Sequence, residues 1–86
     1  MEEERKTIET EARLYIVEDI TAESDSPVFE QPTDGAAKRA FNINTLDKLP
    51  PGVDKGEFAL WYVGKRVGKQ IESVSPQLLQ RGEVIS

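Results

Sequence analysis

The chain has 86 residues, no cysteine, no histidine and a net charge of −5, which bounds it to one small domain of narrow chemistry. A chain this short buries only about 60% of its unfolded surface, so its stability is marginal, and no disulfide reinforces it. The missing histidine and cysteine exclude the usual zinc sites and any Ser-His-Asp or Cys-His nucleophile, and no metal or cofactor is predicted.

Residues 1–11, MEEERKTIETE, carry five acids and two bases and no apolar face. They read as an acidic, solvated leader, with the alternative of an arm that docks a basic partner. The segment lacks the basic start and apolar run of a signal peptide, and no run approaches the roughly 18 apolar residues of a membrane span. The expectation is a soluble, intracellular chain that needs no membrane.

Ala12–Asp19, ARLYIVED, alternates as a strand does, with Ala12, Leu14 and Ile16 on one face and Arg13, Tyr15 and Val17 on the other. Thr21–Pro27 follows as a loop of turn formers and acids. Its carboxylates lack the central glycine and terminal glutamate of a calcium loop, so a solvated loop is the simpler reading. Val28–Gln31, held between Pro27 and Pro32, suits a short edge strand with Phe29 as its anchor.

Thr33 or Asp34 caps a helix that the spacing predicts from about Gly35 to about Asp47. Ala36, Ala37, Ala40, Phe41 and Ile43 fall on its apolar arc, and Lys38 and Arg39 on the solvent side. Asn44 lies within that arc, either as a satisfied polar core group or as the mark of an early end. Pro50-Pro51-Gly52 stops the element.

Glu57–Gly64, EFALWYVG, is the richest apolar run, with Phe58, Leu60 and Tyr62 on one face and Ala59, Trp61 and Val63 on the other. Two apolar faces predict a central strand. Gly68 supplies the reversal of a hairpin with Lys69–Val74, and the tail from Pro76 to Ser86 is left to pack on the domain or on a partner. The domain proper is thus residues 12–75. The predicted architecture is α+β, a small antiparallel sheet of three to four strands with one helix packed on one face, in the order β-β-α-β-β.

One helix covers one face of a sheet. The other face is expected to carry Tyr15, Val17, Trp61 and Val63, which are therefore the candidate partner interface. Either the tail, through Leu78 and Leu79, or a second copy or another protein must cover it. The predicted state is a homo-oligomer.

The charge is uneven: residues 18–34 carry six acids and no base, and residues 35–86 eight bases and five acids. Gly64–Lys69, GKRVGK, is the one basic cluster, and its order is not that of a phosphate-binding P-loop. Lys65, Arg66 and Lys69, with Lys38 and Arg39, have two readings: solvated surface charge, or cations that track a single-stranded nucleic-acid backbone. No pair of acids is spaced as a catalytic dyad, and no enzyme or small-molecule substrate is predicted.

The blocks Ser26-Pro27-Val28-Phe29-Glu30, Asp34-Gly35-Ala36-Ala37-Lys38-Arg39-Ala40-Phe41 and Glu57-Phe58-Ala59-Leu60 with Val63-Gly64, after LYIVED, set up a likeness. Over about residues 13–75 the chain resembles the small nonstructural protein of gokushovirus-type microviruses, icosahedral single-stranded-DNA phages. That family pairs "LYxxxD" with "SGPVFxxxNDxxAxRxF" and "EYxLxxLGxxD". The acidic leader is longer here, and the hairpin tip is basic where the family's is acidic, so no DNA-binding residue carries over. The resemblance implies a non-virion accessory protein of the infected bacterial cytoplasm. It would act in genome replication or packaging, with single-stranded DNA or a replication or capsid protein as partner, and it implies no catalytic residue. The alternatives are a protein-interaction module that never touches DNA and a capsid-assembly factor.

Overall fold

The computed structural model describes residues 11–82. Among the described residues five strands form one antiparallel sheet: β1 Glu11–Asp19, β2 Ser24–Asp25, β3 Phe29–Gln31, β4 Phe58–Val67 and β5 Gln70–Arg81. Strand β4 lies between β1 and β5, as its two apolar faces require, while β2 and β3 share the far edge of β1. Among the described residues one α-helix, α1 Asp34–Asn44, packs on one face, so the α+β class holds and the order is β-β-β-α-β-β.

The edge strand is split because Pro27 donates no hydrogen bond. Ser26 bridges the gap: its N–H donates to the Val17 carbonyl at 2.8 Å, and its hydroxyl accepts from the Val17 N–H at 2.9 Å. The register slips by one residue there, from Glu18 opposite Asp25 to Tyr15 opposite Phe29. Phe29 packs against the core, as expected of the anchor.

Thr33 is the cap of α1, its hydroxyl accepting from the Ala36 N–H at 3.1 Å. The helix ends at Asn44, three residues short of the predicted Asp47, and a 3₁₀ turn over Leu46–Lys48 continues. The predicted apolar arc was too wide. Ala37 and Phe41 are buried, Ala36 and Ala40 half-buried, but Ile43 is 51% exposed and Asn44 lies in solvent. The turn delivers Leu46 to the core where a longer helix would have carried it away.

The core is Tyr15, Ala37, Phe41, Leu46, Leu60 and Tyr62, closed by flanking apolar side chains that include Leu79. Residues 76–81 are strand rather than tail. Strand β5 runs through Pro76 because that residue sits in an irregularity between Ser73, opposite Gly64, and Gln77, opposite Tyr62, where no ladder N–H is required. The β4–β5 loop is Gly68-Lys69 with Gly68 at φ +59°, the position that glycine favours in a two-residue hairpin. The leader falls outside the described residues except for Glu11, the first residue of β1, and no described helix is long and apolar enough to cross a membrane.

Candidate functional site

The β1–β4 register decides which side chains share a face. Tyr15 stands opposite Tyr62 and Ile16 opposite Trp61, with Val63 the extra residue of a bulge. Tyr15 and Val17 therefore lie with Leu60 and Tyr62 under α1, and Tyr15 is fully buried. This corrects the expected interface: Tyr15 and Val17 do not share a surface with Trp61. The residues that do are Ile16, expected on the face away from Trp61, and Glu18 of β1.

The outer face is a set of lateral rows. Asp25, Glu18, Ala59 and Arg81 stand side by side across β2, β1, β4 and β5. The next row is Ile16, Trp61 and Leu78. Further along come Leu14 with Gly64 and Ser73, then Ala12 with Arg66 and Ile71. The Trp61 indole N–H donates to Glu18 at 2.8 Å, which fixes the carboxylate beside the ring. Arg66 makes a two-pronged ion pair with Glu30 that reaches across β1 between Ala12 and Leu14, both nearly buried. Trp61 and Ile16 are half-buried, while Leu78 is 49% and Ile71 69% exposed.

On the helix side, Asp34 ties α1 to β1. One carboxylate oxygen accepts from Arg13 Nε and from the Tyr15 hydroxyl, each at 2.8 Å, and the Arg13 guanidinium lies 4.0 Å over the Tyr62 ring. Burial raises the Tyr15 phenol to about 12, helped by its bond to Asp34. Burial opposes the charge on Asp34, but the bonds from Tyr15 and Arg13 and the Arg13 charge outweigh it and hold the carboxyl below its ordinary 3.8. Glu30 is lowered by its bond from Arg66. A carboxyl with a depressed folded-state pKa stabilises above the ordinary value and loses that contribution as pH falls through the lowered one. The unfolding midpoint should therefore drop below pH about 4. Asp34→Asn, which keeps an acceptor but no charge, should be less stable than wild type at pH 7, with the gap closing toward pH 3. Thermal melts across that range check it, and a gap that stays constant would mean that the Asp34 charge does not matter.

The five candidate cations are not gathered. Lys65, on the helix side, lies 3.4 Å from Glu11 and 3.8 Å from Glu72. Arg66, its neighbour, takes the outer side with Glu30, and its guanidinium also donates to the Gly68 carbonyl at 2.6 Å. Lys69 is exposed in the turn, and Lys38 and Arg39 are exposed on α1.

An open groove of about 480 Å³ separates α1 from the β3 edge, lined by Val17, Pro27, Val28, Phe29, Ala40 and Phe41 with four polar neighbours and no acid or base. Among the described residues no three acids gather as metal ligands. What the surface offers is apolar area and placed charge, the means of association. Comparison with protein-family models, with curated proteins and with solved structures finds no match.

Proposed function

We propose that the protein is a non-enzymatic interaction module whose working surface is the outer sheet face. The observation that carries this reading is the exposure of Leu78 in a row that continues through Trp61 and Ile16, with Ile71 exposed further along the same face. Contiguous exposed apolar surface on a small protein marks a site of association. A tryptophan at its centre, held by a hydrogen bond and rimmed by charge, is the kind of anchor that dominates interface energies. With the sequence likeness to the microvirus nonstructural protein, the role proposed is that of an accessory protein in phage genome replication or packaging, in the bacterial cytoplasm.

Direct binding of single-stranded DNA is the weaker reading, since Lys65 and Arg66 face opposite sides and already hold carboxylates. The two readings separate by experiment. A photo-crosslinking residue at position 78 should capture protein, and one at position 43, exposed on α1, should not. A labelled oligonucleotide at low salt should bind weakly, and Lys65→Ala, Arg66→Ala and Lys69→Ala should leave the crosslink intact. Salt-sensitive DNA binding lost with those three cations, and no crosslink at position 78, would reverse the assignment.

A further inference from the structure

Resting on that reading of the outer face, we infer that the depression beside Trp61 takes an arginine side chain of a partner protein, its guanidinium held by the ring and by the carboxylates of Glu18 and Asp25. The depression encloses about 220 Å³ and is lined by Ile16, Glu18, Asp25, Trp61 and Pro76. Small-molecule sites run to about 300–1,000 Å³, so this one suits a single inserted side chain. Ile16, Trp61 and Pro76 give it an apolar wall, which matches an aliphatic stem, and the two acids match a cation at the tip.

The charge of that wall is uncompensated. Glu18 and Asp25 stand directly opposite each other on β1 and β2, and like charges so placed destabilise a sheet. Among the described residues the ion pairs use Arg13, Lys65 and Arg66, and none includes Glu18 or Asp25. Arg81, at the far end of their lateral row, turns to the helix side, where it donates to the Gly56 carbonyl and lines a depression with Asn42 and Asp47. Of the six acids in residues 18–34, Glu30 and Asp34 pair with Arg66 and Arg13. The other four, Glu18, Asp19, Glu23 and Asp25, fall within eight consecutive residues that hold no base. Their summed field draws a basic partner to this end of the outer face.

The geometry favours arginine over lysine. The Trp61 indole N–H donates to one Glu18 oxygen at 2.8 Å, which fixes that carboxylate beside the ring and leaves its second oxygen as an acceptor. A guanidinium is planar, stacks on an indole and spreads five donors, so it can meet the ring and two carboxylates together. An ammonium is a compact and more strongly hydrated charge. Leu78, 49% exposed beside Trp61 in the next strand, extends the apolar wall toward the residues that flank such an arginine.

Trp61 is the one tryptophan of the chain, so its emission and its indole N–H resonance both report on the site. The probe is the end-blocked peptide Leu-Arg-Leu, added to the full chain, with citrulline, lysine or glutamate in place of the arginine for comparison. The arginine peptide should shift both signals. The citrulline peptide, of the same shape without the charge, and the glutamate peptide should bind at least about tenfold more weakly, and the lysine peptide should fall between. Glu18→Gln with Asp25→Asn keeps an acceptor for the indole and removes both charges. It should stay folded by circular dichroism and lose at least about tenfold in affinity for the arginine peptide. Signals unmoved by the arginine peptide, moved equally by the citrulline one, or moved equally in the double variant would overturn the inference. A lysine peptide that binds as tightly as the arginine one would overturn the choice of a guanidinium. A position-78 crosslink that persists while the arginine peptide leaves Trp61 unmoved would remove this site and keep the outer face as the working surface. No crosslink and no titration would end both.

Discussion

Phe41→Ala is expected to remove about 3–5 kcal/mol from the free energy of unfolding, the largest loss of any single truncation on α1. Phe41 is 1% exposed and stands in one cluster with Tyr15, Leu46, Leu60 and Tyr62. The only other buried residue of the helix is Ala37, which has nothing to lose. The helix is therefore held to the sheet through one large apolar side chain, the Asp34 contacts at its first turn and the Leu46 turn at its end. The void left by alanine could close only if α1 moved toward the sheet, and Tyr15 and Leu60, both fully buried, already occupy that floor. A domain of this size has a total stability of about 5–15 kcal/mol, so the loss is a large fraction of the whole and the unfolding midpoint should fall sharply. Urea titration followed by circular dichroism measures the loss. Ile43→Ala is the matched control, on the same helix but 51% exposed, and should stay within about 0.5 kcal/mol of wild type. Equal losses at the two positions would mean that α1 presents a different face to the sheet.

That contrast also marks how far the sequence could be read. The central place of β4 was legible because Phe58–Val63 is apolar at both parities. The alternation within β1 and within β4 was legible too. The phase between them was not, because β1 also has two apolar faces and either assignment buries a comparable side. Only the pairing of Tyr15 with Tyr62 decides, and the bulge at Val63 shifts the pattern beyond it. One signal was available. Arg13 shares Tyr15's face, and the carboxylate it needs is Asp34 at the start of the helix, so Tyr15's face is the helix face. Pro76 was read as the end of the last strand because proline breaks a regular ladder. It cannot be read as a bulge until the partner strand is known. Ile43 was assigned to the core by angle alone, whereas the helix ends at the next residue and turns that flank outward. The candidate interface was half legible for the same reasons: Trp61 was found, and its true neighbours Ile16, Glu18 and Leu78 required the register.

Gly64→Ala should cost about 1–3 kcal/mol, an unusual price for one methyl group on a strand. The φ angle is not the cause, since Gly64 is not among the positive-φ residues. The cause is space: a Cβ there would stand 2.7 Å from the Glu72 carbonyl oxygen and 3.6 Å from the Ser73 Cα. Both neighbours are backbone, so no side chain can swing aside, and β4 and β5 must part at the ladder itself. Gly64 follows the Val63 bulge and faces the irregular stretch of β5, so the strain falls where the hairpin has least regular pairing to resist it. Gly35→Ala is the opposite case. Its new methyl would meet only the Thr33 hydroxyl, at 3.9 Å, inside the first turn of α1, and the exchange should be neutral or stabilising by up to about 1 kcal/mol. The shear caused at Gly64 would also move Leu78 and Arg81 relative to Trp61 and Ala59, which set the two rows of the outer face. Capture through a crosslinker at position 78 should therefore weaken in Gly64→Ala even where most of the protein is folded. Amide exchange should speed up in Ser73–Gln80 while β1 stays protected. Loss of protection spread evenly over all strands would point to global destabilisation instead, with no special coupling between the hairpin and the outer face.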